Sequence, residues 1–484
     1  MAWFGIALLV MVGVGIITTG LPAAVVLMAT AGLGACVGIA SSVIDVATLW
    51  ALPSRLINLL ESDVLQALPL YVTMGLLLDR LPVADALYRA VQAVLPRKPS
   101  APLVSGMLLG ALLGPMNGSV GASVLALSRV VAPRLAAEGI AAPHRHAIVA
   151  VASTLGVLVP PSLVLILLSD AMLSAHTIAV TATGRTDRVV NTQDIFHAAF
   201  LPGGIFLLLC LALSGLIGRN AAALPERAPL SAAQAWIAAV ALTFLLLLLG
   251  GVALGYFYAV EAAAMGAFAL LMAGLLSGRL PKKVLGGLLG DAIALTGALF
   301  SLLLAATTFT MVLRLLGTAD LAGQIVSSIP GGDVAAVAVV LGLIAVSAFV
   351  LDAFEIIFVI VPIVIPPLLI RVADARWVSV LVLLTLQSSF LLPPFGYALM
   401  MVRGVLKEHV GFRDFLRALA PFLAAQWLLL LAVLFFPQLT HPGKPPEGDS
   451  RPTPAALSDE EFKRQLNEMI KLPEPEAETS PEGR

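Results

Sequence analysis

Ser153-Thr154-Leu155-Gly156-Val157-Leu158-Val159-Pro160-Pro161-Ser162 and Gln387-Ser388-Ser389-Phe390-Leu391-Leu392-Pro393-Pro394-Phe395 carry one pattern twice: hydroxyls or amides, then apolar residues, then a double proline. Pro160 and Pro161 map onto Pro393 and Pro394 at a spacing of 233 residues, and Pro133 maps onto Pro366 at the same spacing. A fixed spacing is the mark of an internal repeat. In a helix the N–H of residue i bonds the carbonyl of i−4, so Pro160 and Pro161 free the carbonyls of Gly156 and Val157, and Pro393 and Pro394 free those of Ser389 and Phe390. An unpaired carbonyl in hydrocarbon costs several kcal/mol, so it must face protein, water or a cation. With hydroxyls beside them, these carbonyls suit a sodium ion.

The surrounding composition excludes a soluble chain. Of 484 residues, 59% are hydrophobic and 12% charged, about half the charge of an average soluble protein. A net charge of −1 offers no basic field for nucleic acid. Cys36 and Cys210 lie in apolar runs and imply neither disulfide nor metal framework. The reading is an all-α polytopic membrane protein, because only helices satisfy the backbone over so many apolar runs.

Runs of about 20 apolar residues are the criterion for a span. They fall at 3–18, 21–42, 64–80, 145–170, 196–218, 234–250, 252–277, 293–316, 378–400 and 416–436. The first has no basic leader and is read as a retained span. Trp3, Trp50, Trp236 and Trp377 fall near span ends, as interfacial anchors. Stretches 101–133 and 333–370 are too long for one crossing. They break at Gly114-Pro115-Met116-Asn117-Gly118-Ser119 and near Ser347 to Asp352, giving halves of about 15 residues that suit re-entrant hairpins. Gly106, Gly110, Gly114 and Gly118 form a smooth face for close packing on the first hairpin arm.

Basic segments Arg80–Lys98, Arg279–Lys283 and Arg403–Arg417 are expected in the cytoplasm. Segments 43–63, 171–195 and 317–333, neutral or slightly acidic, are expected outside, as are both termini. The 233-residue spacing pairs the basic Pro96-Arg97-Lys98-Pro99 with the uncharged Ile329-Pro330-Gly331-Gly332, so the repeat is inverted, as in secondary transporters with a midplane site. Val46–Ser62 and Arg279–Asp291 read as membrane-plane arms. The chain divides into 1–62 (scaffold helices and first arm), 63–175 (first transport repeat, with hairpin 101–133 and broken helix 145–170) and 196–292 (scaffold helices and second arm). It continues as 293–402 (second transport repeat, with hairpin 333–370 and broken helix 378–400), 403–436 (last membrane helix) and 437–484. That last piece is a mostly disordered tail with a capping box at Ser458 and Glu461.

Candidate sites follow from the breaks. The first sodium site would use Asn117 and Ser119 from the hairpin tip with Ser153, Thr154, Gly156 and Val157. The second would use Ser347 and Asp352 with Ser388, Ser389 and Phe390. Ser123, Thr154 and Gln387, beside these cages, are the candidate substrate contacts. Asp352 and Glu355 are intramembrane carboxylates, which cost about 2.5–3.5 kcal/mol on insertion scales and are functional by default. Arg129 is read as snorkelling to the inner face, and Asp170 and Arg314 as interfacial.

Gly20-x-Pro22, the Pro69 span ending at Gly75, Gly118-Ser119-x-Gly121-Ala122, Ser153-Thr154-Leu155-Gly156 through Pro160-Pro161-Ser162, Phe200-Leu201-Pro202-Gly203, Glu261-Ala262-Ala263-Ala264 and Pro393-Pro394-Phe395-Gly396 together resemble the large membrane subunit of tripartite ATP-independent periplasmic (TRAP) transporters. The resemblance covers about residues 1–436. It implies an elevator-type importer in the bacterial inner membrane, driven by sodium, with a small four-helix membrane subunit and a periplasmic substrate-binding protein that delivers an organic acid, usually a carboxylate. Because the chain opens directly on the large-subunit pattern, the small subunit is expected as a separate chain. Pro115-Met116-Asn117 replaces small residues common at the first tip, and Leu392 stands where many members have Thr. The alternative is a stand-alone sodium-coupled dicarboxylate or related anion transporter of the same superfamily. An intramembrane enzyme is disfavoured, since the sequence carries no His-Glu-x-x-His and only His144-x-His146 in a polar connector.

Overall fold

A computed structural model describes residues 1–61, 63–117, 119–185, 188–220, 231–393, 396–408 and 410–441. The described residues are helical throughout: α1 (Ala2–Thr19), α2 (Ala23–Ala40), α3 (Val46–Leu49), α4 (Leu52–Leu60), α5 (Asp63–Arg80), α6 (Val83–Val94), α7 (Ala101–Leu113), α8 (Val120–Val130), α9 (Ala132–Ala137), α10 (Ala142–Leu155) and α11 (Leu163–Thr183). There follow α12 (Thr192–Ile217), α13 (Ala232–Ala253), α14 (Ala259–Leu276), α15 (Lys282–Leu315), α16 (Thr318–Ser328), α17 (Asp333–Ser347), α18 (Ala353–Glu355), a π-helical turn (Ile356–Ile360), α19 (Val361–Arg371), α20 (Ala375–Ser389), α21 (Tyr397–Val405) and α22 (Phe412–Phe435). Ten helices among the described residues are long and apolar enough to cross a membrane. The protein is a multi-pass membrane protein.

Local chemistry explains where these helices break. Pro115 sits in a single 3-10 turn after α7, and α8 restarts at Ser119, whose hydroxyl accepts the Ala122 N–H at 3.1 Å. At the second interruption Asp352 caps α18, accepting the N–H groups of Phe354 (2.8 Å) and Glu355 (3.1 Å), while the Glu355 carboxylate accepts the Asp352 N–H at 3.1 Å. Such a cap is worth about 1 kcal/mol.

The packing between halves comes in matched pairs. Helix α2 lies on α15 and α14 on α5; α1 lies on α16 and α13 on α6; α8 meets α21 and α19 meets α11; α7 lies on α10 and α17 on α20. Each first-named pair becomes the second when shifted by the 233 residues that relate the prolines. Helices α12 and α22 pack on each other and against α20, α22 also packs on α10, and α12 covers α7.

Several expectations are corrected. Arg279–Asp291 is no separate arm: no proline interrupts Lys282–Leu315, so it forms one 34-residue helix. The first arm is split into α3 and α4, with Pro53 in the first turn of the second piece. Two helices were unforeseen, α6 in the basic segment and α16 in the neutral one. Helix α6 turns 67° from α5 at the Leu81-Pro82 step and buries Val83, Ala84, Leu87 and Tyr88. Helix α11 runs to Thr183, past the expected end at 170. The second hairpin arms, 18 and 19 residues over Val120–Ala137 and Ala353–Arg371, exceed the expected 15.

Trp377 is no interfacial anchor: it is 3% exposed and its Nε1 donates to the Val433 carbonyl at 2.8 Å. Trp3, Trp50 and Trp236 are each at least 70% exposed. Arg129 pairs with Asp79 at the end of α5. Glu261 accepts the Tyr258 N–H at 2.9 Å, closing the start of α14. Asp170 and Arg314 line one cavity; Arg314 lies in the last turn of α15, near a span end as expected, whereas Asp170 lies within α11, well before its end at Thr183. Of the expected tail, 437–441 is folded, with Thr440 buried and His441 3.5 Å from Asp374. Ser458 and Glu461 lie outside the described residues, as do Gly118, Pro394 and Phe395.

Candidate functional site at the first helix break

The glycine stripe of α7 faces α10. A Cβ added at Gly106 would meet Val131 and Ile148 side chains, and one at Gly110 the backbone of Ala152. At Gly114 it would stand 2.6 Å from the Gly156 Cα, and at Gly75 of α5 it would stand 2.5 Å from the Asn117 carbonyl oxygen. The hairpin tip is thus seated backbone to backbone in the break of α10–α11.

Between them lies a small cavity lined by Ser119 and Ser123 from the tip, Ser153, Gly156 and Val157 from the break, and also Gly114 and Ser162. Its roughly 20 Å3 of free space is enough for one water or a bare ion. None of its described lining residues is charged. Two C-terminal helix ends (α7, α10) and two N-terminal ends (α8, α11) meet here, so carbonyl oxygens that favour a cation stand beside N–H groups that favour an anion.

The expected residues divide at this point. Ser153 donates to the Ala150 carbonyl at 2.7 Å, leaving its lone pairs toward the cavity. Thr154 is fully buried and donates to Val151 at 2.9 Å, outside the lining. Asn117 is buried and reaches the site through Ser123, donating from Nδ2 to the Ser123 hydroxyl at 3.1 Å. The Val157 carbonyl is not unpaired, because the Ser162 hydroxyl donates to it at 2.8 Å. Ser162 also caps α11, accepting the Leu165 N–H. Sequence reading missed Ser162 as a site residue, although a serine opening an apolar run after two prolines is an N-cap signature.

The second break is closed more tightly. Ser388 and Ser389 donate back to Thr385 (2.7 Å) and Leu386 (2.6 Å), and Ser347 to Leu343 at 2.9 Å. The Phe390 carbonyl accepts the Ala398 N–H at 3.1 Å and the Ser389 carbonyl that of Leu392 at 3.4 Å, so neither is left without a partner as the proline arithmetic alone requires. The Oδ1 oxygen of Asp352 is engaged as the α18 cap. Gln387 is fully buried, and neither side-chain amide atom has a hydrogen-bond partner among the described residues. A Cβ at Gly121 on α8 would stand 2.6 Å from the Tyr397 hydroxyl, so the start of α21 reaches the first hairpin.

Comparisons place this geometry in a family. The description Tripartite ATP-independent periplasmic transporter, DctM component, matches residues 6–439. The chain is 22% identical over 395 residues, 80% of its length and 88% of the relative's, to the C4-dicarboxylate TRAP transporter large permease protein DctM of Rhodobacter capsulatus. It is also 22% identical over 397 residues to the sialic acid TRAP transporter permease protein SiaT of Haemophilus influenzae, covering 80% of this chain and 61% of that one. In fold it is similar to the YdaH transporter of Alcanivorax borkumensis, with a TM-score of 0.62 at 15% identity over 83% of this chain and 91% of that one. The described helices, their break points and the match over 6–439 agree: the chain belongs to the DctM family, the large permease subunits of tripartite ATP-independent periplasmic transporters.

Proposed function

We propose that the protein imports a small organic acid, a carboxylate, by sodium symport in the bacterial inner membrane, as the moving partner of a small membrane subunit and a periplasmic binding protein. The observation that carries this reading is the cavity where the first hairpin tip meets the first helix break. Ser119, Ser153 and the backbone of Gly156 supply hard oxygen there without a fixed charge, which suits a monovalent cation that must bind and leave. The two permease relatives, named for C4-dicarboxylate and for sialic acid, support a carboxylate cargo. The matched packing pairs support an inverted repeat whose hairpin-bearing unit moves as an elevator.

Uptake into proteoliposomes carrying the assembled transporter, measured against sodium concentration, tests the coupling. Ser153→Ala or Ser119→Ala should raise the half-saturating sodium concentration about five- to thirtyfold, the equivalent of losing 1–2 kcal/mol. Sodium-independent uptake with a proton optimum would replace this reading with proton coupling, for which Asp352 and Glu355 are the available carboxylates.

The inversion has its own test. Single cysteines at Lys98 and Gly332, in a background lacking Cys36 and Cys210, should react with an impermeant thiol reagent from opposite faces of the membrane. Labelling from one face would end the inverted-repeat argument.

A further inference from the structure

A second, larger cavity of about 190 Å3 lies between α11, α15 and the π-helical turn with α19, and Leu59 of α4 and Leu65 of α5 complete its wall. Asp170 from α11 and Arg314 from α15 both line it. Among the described residues Asp170 has no hydrogen bond or ion pair. Arg314 has a single bond, donated to the Pro362 carbonyl at 3.3 Å. That carbonyl is free to accept because Pro366, four residues on, has no N–H to give it. The two opposite charges share the cavity without pairing within 4 Å of each other.

We propose that this cavity is a binding site for a zwitterion that carries an ammonium and an anionic phosphate a few bonds apart, the chemistry shared by free phosphoethanolamine and by the headgroup of phosphatidylethanolamine. A plain anion would pair with Arg314 and be repelled by Asp170. A plain cation would meet the reverse, made worse by Arg55 of α4, which lies close enough to Arg314 for the two to repel. A zwitterion satisfies both at once, with the hydroxyls of Ser174 and Thr307 alongside. Size agrees, since the cavity far exceeds the roughly 10–15 Å3 that one water needs and falls short of the about 300 Å3 at which sites for drug-sized ligands begin. A π-helical turn in the wall is a frequent companion of functional sites. The site is separate from the serine-lined cavity at the first break and shares no lining residue with it.

The test uses the full chain, purified and stripped of lipid, with melting temperature followed on adding phosphatidylethanolamine, phosphatidylglycerol or free phosphoethanolamine. Phosphatidylethanolamine should raise the melting temperature by a few degrees more than phosphatidylglycerol. Asp170→Asn should erase that difference, and Arg314→Gln should remove the response to both. A response to free phosphoethanolamine assigns a soluble zwitterion as ligand; a response to the lipid alone assigns the headgroup. Native mass spectrometry, counting phosphatidylethanolamine retained by the wild type and by Asp170→Asn, keeps the question open to disproof if Arg314→Gln does not fold. Equal responses to both lipids in the wild type without a response to free phosphoethanolamine, no response to any of the three, or responses unchanged in the Asp170 variant would overturn the proposal.

Discussion

Gly156→Val should abolish uptake by the assembled transporter while leaving the chain in the membrane. A Cβ on Gly156 falls against the Gly114 backbone and 2.7 Å from the Pro115 nitrogen, and a Cβ on Gly114 falls 2.6 Å from the Gly156 Cα. These neighbours are backbone atoms, so no side chain can swing aside. Overpacking of this kind costs about 1–3 kcal/mol and is relieved by moving backbone. Here the only relief is to part the hairpin tip from the broken helix, which separates Ser119 from Ser153 and opens the cavity between them. The binding site would be lost before the fold. Gly342→Ala on α17 is the control, because nothing lies within 4 Å of its added Cβ and alanine favours helix. Its uptake should match the wild type. Normal sodium-dependent uptake by Gly156→Val would show that the tip contact plays no part in transport.

How much of this was legible before any coordinates depended on the kind of signal. The double prolines announced the breaks directly, since a missing N–H is a property of one residue. The α7 glycine stripe announced close packing, and the structure gives it its partner, the face of α10. What sequence reading could not supply was compensation by neighbours. Ser162 donates to the Val157 carbonyl and Ala398 to that of Phe390, so counting lost i−4 donors overstated the free acceptors at both breaks. Asp352 read as an ion ligand from its place at the hairpin tip, and the sequence did not show that its Oδ1 also caps α18 together with Glu355. Helices α6 and α16 escaped because their polar faces look like loops in a hydropathy reading, although α6 buries an apolar side and α16 buries Val326. Asp170 and Arg314 are 144 positions apart, and nothing in a single sequence pairs them across a cavity.

Reconstituted alone with a sodium gradient and free substrate, the chain should not transport, and adding a small membrane subunit with the periplasmic binding protein should restore uptake. An elevator needs something that stays still while the hairpin-bearing unit slides. Helices α12 and α22 lie on α7, α10 and α20, so in the proposed elevator they would travel with the hairpin-bearing unit, although 196–218 is expected among the scaffold helices. In that arrangement α1, α2, α13 and α14, with the arm α3–α4, would form the static frame. Those helices are thin and largely unburied: Val10, Val14, Val25, Leu246, Leu247 and Phe268 are each more than 45% exposed. On the proposed mechanism these four helices would be a slender frame for a larger moving body, and a partner that covers their exposed apolar faces would steady it. A second copy of the chain would do this for a stand-alone anion transporter, and a separate small subunit would do it here. Selectivity then follows whichever binding protein docks, so exchanging that protein should change the cargo while this chain stays the same. Robust sodium-driven uptake by the isolated chain would show that its own helices suffice as the frame, and the stand-alone transporter would become the better reading.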